Sequence, residues 1–147
     1  MDKPVILVPV DFEPASRKAI ALAQELGSAL SAEIVLLHVF DLPLYTYPGF
    51  DPAPIATYLT DITGAAQVAL DQLATSVGVS RTFLRQGNVP RTIVAVAQEI
   101  GARMVVMGTH GRRGLAHALL GSVAERVVRE CPVPVVTLHA DTPATSP

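Results

Sequence analysis

Residues 104 to 122 read Met104-Val105-Val106-Met107-Gly108-Thr109-His110-Gly111-Arg112-Arg113-Gly114-Leu115-Ala116-His117-Ala118-Leu119-Leu120-Gly121-Ser122. The first four residues form an apolar run of strand length. The glycines after them favour an irregular connection. Ser122-x-x-Glu125 has the pattern of a capping box and predicts a helix starting at Ser122. That helix must stop before Pro132. The stretch therefore reads as strand, glycine-rich loop, helix.

The same alternation extends outward in both directions. Strand-like runs fall at Val5 to Val8, Ile34 to Phe40, Thr82 to Leu84, Met104 to Met107 and Val133 to Leu138. Apolar residues at helical spacing separate them: Ala15, Ala19, Leu22, Leu26 and Leu30; then Ile55, Leu59, Ile62, Ala66, Ala69, Leu73 and Val77; then Val89, Ile93, Val96 and Ile100 after the N-cap candidate Asn88. Strands joined by helices need crossover connections, so the fold class is α/β: a five-stranded, mostly parallel sheet with helices on both faces, Rossmann-like. The first, second and fourth runs are continuously apolar, as expected of strands covered on both faces. The third alternates, and the fifth contains Pro134, which cannot donate to a ladder. Both suit edges, giving the order 3-2-1-4-5.

The chain has 147 residues, half of them hydrophobic, which is enough for one domain with a substantial core. We expect a single domain over residues 1–140 and a frayed tail over 141–147. A net charge of -2 argues against a general nucleic-acid or anionic-membrane binder. The lone Cys131 excludes an internal disulfide. The apolar run near the N-terminus is too short for a signal-peptide core or a membrane span, so the expected location is cytoplasmic.

In open α/β sheets ligands bind beyond the C-terminal strand ends, where the winding direction reverses. Here that point lies between the strand ending at Val10-Asp11 and the one ending at Met107-Gly108. The glycine-rich loop begins there and runs into a helix N-terminus, whose amides and dipole favour an anion. Ser122, Arg112 and Arg113 add a hydroxyl and charge, so phosphate is the leading reading; a long connection using glycine for turns is the plainer one. The chain holds no Gly-x4-Gly-Lys-Ser/Thr, and Asp11-Phe12-Glu13-Pro14 lacks the glycines of a dinucleotide fingerprint.

Gly108-x2-Gly111-x9-Gly121-Ser122 resembles the nucleotide-loop signature of the universal stress protein family. Ile6-Leu7-Val8-Pro9-Val10-Asp11, Leu36-Leu37-His38-Val39, Val105 to Gly111 and Cys131-Pro132-Val133-Pro134-Val135 add to the likeness, which spans about Pro4 to Leu138. The resemblance, to the ATP-binding branch, implies an architecture shared with adenine-nucleotide α-hydrolases. It also implies ATP as ligand, with Mg²⁺ accompanying it and AMP or ADP as other occupants. It assigns Asp11 to the ribose, Val39 to adenine through its backbone, and Gly108, Gly111, Gly121 and Ser122 to the phosphates, with Arg112 as a further contact. Pro9, Val10, Met107, His110 and Val123 complete the implied nucleotide set; no catalytic or metal-binding residue is assigned. Arg103 stands where many members carry an acid, at the end of the sheet away from this site.

The implied function is an ATP-loaded regulatory module in a stress response, acting on a partner protein and forming a homodimer through the edge strand Val133–Leu138. The alternatives are a slow ATPase or adenine-nucleotide α-hydrolase, a nucleotide-free dimeric scaffold, and an FMN or AMP binder. Other candidates have plainer readings. Asp11 could simply start a helix. His38, mid-strand, suits a hydrogen-bonded core histidine. His110 and His117 lack metal-ligand spacing. Cys131 suits a buried, inert thiol, and the Tyr45 to Phe50 loop is either a lid on the base or a proline-stiffened connection.

Overall fold

The computed structural model describes residues 2–41, 51, 53–109 and 120–139. Among them strands and helices alternate: β1 (Val5–Pro9), α1 (Pro14–Leu30), β2 (Glu33–Phe40), α2 (Ala53–Val77), β3 (Arg81–Gln86), α3 (Val89–Glu99), β4 (Met104–Gly108), α4 (Ser122–Glu130) and β5 (Val135–Leu138). Every strand pair is parallel and the order is β3-β2-β1-β4-β5, as the sequence predicts.

The pleat sorts side chains onto two faces. Val5, Leu7, Val35, Leu37, Val105 and Met107 pack with Ile93 and Val96 of α3 and Val127 of α4. Ile6, Val8, Leu36 and Val106 pack on the opposite face with Ala19 and Ile20 of α1 and Leu70 and Leu73 of α2. Helices on opposite faces on either side of the switch point are what right-handed crossover connections require. Leu7, Leu36 and Leu37 are fully buried, and each such side chain contributes about 1.5–3 kcal/mol.

Four local expectations are corrected. The buried stripe of α1 is Ala15, Ser16, Ala19, Ile20, Ala23 and Gly27, while Leu30 is exposed. Ala15 and Ala19 are buried as expected and Leu22 and Leu26 pack half-buried against the same core, so the departure is confined to Leu30 and to the small residues Ser16, Ala23 and Gly27 that let the helix sit close to the sheet. In α2 the buried residues are Leu70, Leu73 and Ala74 in its C-terminal half; Ile55, Leu59 and Ile62 are only half-buried and Tyr58 is exposed. β5 begins after Pro134, whose carbonyl accepts from the Val105 N–H at 2.9 Å. In α4 the N-cap is Gly121, not Ser122. Ser122 sits inside the first turn, so no capping box forms, and the Glu125 carboxylate instead pairs with Arg129.

The Asn88 cap and the β3 edge match expectation. Asn88 caps α3, its Oδ1 accepting from the Arg91 N–H at 3.1 Å. On the β3 edge, Phe83 packs against the α3/α4 core, and Arg81 and Arg85 lie over its ring at 5.4 and 4.9 Å. Among the described residues no helix is long and apolar enough to cross a membrane. The Tyr45 to Phe50 loop, His110, Gly111, Arg112, His117 and the tail 141–147 lie outside the described residues.

Candidate functional site

β1 and β4 are neighbours at the switch point, joined in register at Ile6↔Met104 and Leu7↔Val105. β1 and β2 stay paired as far as Pro9↔Leu37, and the Val10 N–H adds one more bond to the Leu37 carbonyl at 2.8 Å. The chain then leaves the ladder. The Val10 carbonyl accepts from His38 Nδ1 at 2.7 Å, which assigns the Nδ1–H tautomer. His38 is thus the hydrogen-bonded histidine its apolar setting suggests.

Phe12 follows with φ 65°, a left-handed conformation uncommon for a bulky residue. Its ring rests against the His38 ring, with centroids 4.5 Å apart. Asp11 binds the next turn: its Oδ1 accepts from the Glu13 N–H at 3.0 Å and from the Ser16 hydroxyl at 2.6 Å. Side-chain bonds of this kind offset the strain of such a backbone. Asp11 is not the α1 cap; Glu13 holds that position, and Pro14 takes the first helical turn.

A cavity of about 160 Å³ opens where these elements meet. Its wall brings together Pro9, Val10, Asp11, Val39, Met107, Gly108 and Val123 from the implied nucleotide set, and adds Ser16, Leu37, Val89, Ile93 and Ala124. Gly121 and Ser122 precede Val123 at the N-terminus of α4 but do not line it. Arg103 lies at the far end of the sheet, its N–H donating to the Val5 carbonyl. The wall is mostly apolar, and Asp11 is its one ionisable side chain among the described residues. Those residues contain no cluster of three His, Cys, Asp or Glu able to hold a metal ion. Cys131 is half-buried against the α3/α4 core.

Two helix N-termini border the cavity. At α3 the Asn88 side chain already caps the amides. At α4 the cap is a glycine with φ -60° and ψ 160°, which offers no side chain to cap the first turn. Amides left this way suit an anion. Gly121 therefore holds ordinary extended backbone, and a positive φ is not its reason for being glycine.

Gly108 has a packing reason. A Cβ there would lie 2.7 Å from the Ala15 Cβ and 2.9 Å from the Ala15 carbonyl carbon. Gly108→Ala should therefore cost stability, about 1–3 kcal/mol for an overpacked contact. Urea unfolding of the variant measures it, and an unchanged midpoint would show that the contact relaxes freely.

Sequence reasoning missed Ser16 and Thr109. Thr109 is buried; its N–H and hydroxyl reach the Leu138 carbonyl at 2.7 and 3.1 Å, and its Oγ1 lies 3.2 Å from His139 Nδ1. It ties the start of the glycine loop to the end of β5. For Ser16 the available signal was a hydroxyl residue in the first turn of a helix, five positions after an aspartate.

An open parallel α/β sheet with helices on both faces and a cavity at its switch point defines a doubly wound architecture. The chain belongs to the universal stress protein family, whose family model matches residues 4–139. A universal stress protein of Methanocaldococcus jannaschii is 33% identical over 136 residues, covering 89% of this chain and 80% of the relative. The solved universal stress protein UspA from Lactobacillus plantarum superposes with a TM-score of 0.77 at 26% identity, covering 94% of this chain and 99% of that one. A universal stress protein solved in complex with cAMP shares the fold, with a TM-score of 0.58 at 23% identity, covering 96% of this chain and all of that one.

Proposed function

We propose that this protein binds an adenine nucleotide, ATP foremost, and acts as a nucleotide-dependent regulatory module rather than a fast enzyme. The observation that carries the reading is the cavity: an apolar slot with Asp11 on its wall, bordered by the uncapped α4 N-terminus and opening where the glycine-rich loop starts. At about 160 Å³ it is smaller than the roughly 300–1,000 Å³ of sites that enclose a drug-sized ligand. It therefore suits the base, leaving the sugar and phosphates at the rim.

Pro9, Val10, Val39, Met107 and Val123 would enclose the adenine, Val39 meeting its edge through backbone beyond the last β1–β2 pair. Asp11 would accept from the ribose hydroxyls. Gly108, His110, Gly111, Arg112, Gly121 and Ser122 would follow the phosphates, and Mg²⁺ would ride on the phosphate oxygens. The solved relative in complex with cAMP supports an adenine nucleotide in this fold. The domain would extend over residues 1–140, in the cytoplasm, with the regulated partner protein engaged through nucleotide-dependent contacts. Mass spectrometry of small molecules released on denaturing the purified protein tests the reading directly. AMP, ADP or ATP is the expected mass; a flavin would replace the reading.

A homodimer through the β5 edge belongs to the same proposal. β5 is the last strand beside β4, and its Val135 to Leu138 are only half-buried. A half-buried apolar edge with unpaired backbone invites a second copy. Light scattering at micromolar protein should give twice the chain mass, and Val135→Lys should shift it toward monomer with the fold intact. A wild-type monomer mass contradicts the dimer.

A further inference from the structure

Ser16 is only 4% exposed, and among the described residues only it and Thr109 are polar side chains in the buried set. Its hydroxyl touches both ends of Asp11. It donates to Asp11 Oδ1 at 2.6 Å and accepts from the Asp11 N–H at 2.9 Å. The Glu13 N–H reaches the same Oδ1 at 3.0 Å. Backbone and carboxylate of Asp11 are therefore clamped to the first turn of α1, a rigid helix packed on the sheet. Ser16 also lines the cavity beside Asp11.

From this geometry we propose that Ser16 is a positioning residue that sets the sugar specificity of the site. The inference rests on the nucleotide reading given above. A carboxylate held in one orientation presents a fixed acceptor array to a vicinal diol. A site built to bond a hydroxyl discriminates against the analogue that lacks it, because its polar group is then left poorly paired. Without the Ser16 hydroxyl the Asp11 carboxylate keeps the Glu13 N–H bond but loses its tie to α1, so its orientation loosens and ordering it on binding adds a cost. The ribonucleotide then loses affinity while the 2′-deoxyribonucleotide, already short of one hydroxyl, loses little. Ser16 thus makes the pocket selective for ribose over 2′-deoxyribose.

The test is titration calorimetry with AMP and 2′-deoxy-AMP on wild type, Ser16→Ala, Ser16→Thr, Asp11→Ala and the Ser16→Ala/Asp11→Ala double variant. Wild type should prefer AMP. Ser16→Ala should lower AMP affinity by roughly three- to tenfold, the loss of about one hydrogen bond's worth of order, and narrow the preference for ribose. Ser16→Thr, which keeps the hydroxyl, should restore the preference. In the Asp11→Ala background Ser16→Ala should change nothing further. If Ser16→Ala fails to fold by circular dichroism, Ser16→Cys, similar in volume and a weak donor, makes the same comparison. An unchanged AMP preference in Ser16→Ala, an equal loss of both ligands, or a wild type indifferent to the 2′-hydroxyl would overturn the inference. If Asp11→Ala leaves AMP binding unaltered, the assignment of Asp11 to the sugar fails first.

Discussion

Asp11→Ala should weaken adenosine, AMP and ATP by a common factor of roughly ten to a hundred. A hydrogen bond from a neutral group to a charged one contributes about 1.5–3 kcal/mol, and about 1.4 kcal/mol is tenfold in affinity. The factor is common because the three ligands share the ribose and differ only in phosphate. The substitution also removes the bonds from Glu13 and Ser16 that hold the turn after β1. Some stability will be lost with them, so the variant must be compared at a temperature where circular dichroism shows it folded. Isothermal titration against the three ligands reads the outcome. A loss confined to ATP would move Asp11 from the sugar to the phosphate end, and no loss at all would remove it from the site.

The fold was largely legible because its signals are periodic and redundant. Continuous apolar runs marked β1, β2 and β4 as central, and the Arg81-Phe83-Arg85 alternation marked β3 as an edge. Both choices are met in the observed order. Asn88 was readable as a cap because a cap is a local event, one carbonyl oxygen meeting an amide three residues on. The failures lie where tertiary contact decides. In α1, Ser16 and Gly27 join the predicted Ala15 and Ala19 in the buried stripe while Leu30 stays exposed, and Gly108 leaves room for the close approach of Ala15. Ser122 looked like a cap because spacing alone cannot distinguish the residue before the first turn from the one inside it. Gly121 occupies the cap position with ordinary extended backbone.

Within the site the outcome is similar. Val10 and Asp11, Val39, Met107 and Val123 come from four separate stretches of sequence, and the resemblance rather than any local pattern groups them; they meet around one cavity. Helical spacing marks Val89 and Ile93 only as helix-face residues, and their place on the cavity wall depends on tertiary packing. The spacing of Ser16 after Asp11 is only a faint signal, because their contact depends on the left-handed Phe12 in the intervening turn.

Gly121→Val tests the central claim, that the glycine loop and the α4 N-terminus hold the phosphates. The backbone at Gly121 has φ -60°, which valine can adopt, so the substitution does not force a change of conformation. Valine is a poor N-cap, and the stability cost should stay near 0.5–2 kcal/mol. Its isopropyl group would, however, stand beside the first amides of α4, in space the phosphates need. The direct measurement is calorimetry of wild type and Gly121→Val, both verified as folded, against adenosine and ATP. Wild type should bind ATP more tightly than adenosine, and that gain should shrink with added salt, as charge interactions at a rim do. Gly121→Val should keep adenosine affinity within about twofold and lose most of the gain for ATP, a drop of roughly ten- to a hundredfold if one or two charged hydrogen bonds are lost. A folded Gly121→Val protein that binds ATP as tightly as wild type would contradict the account.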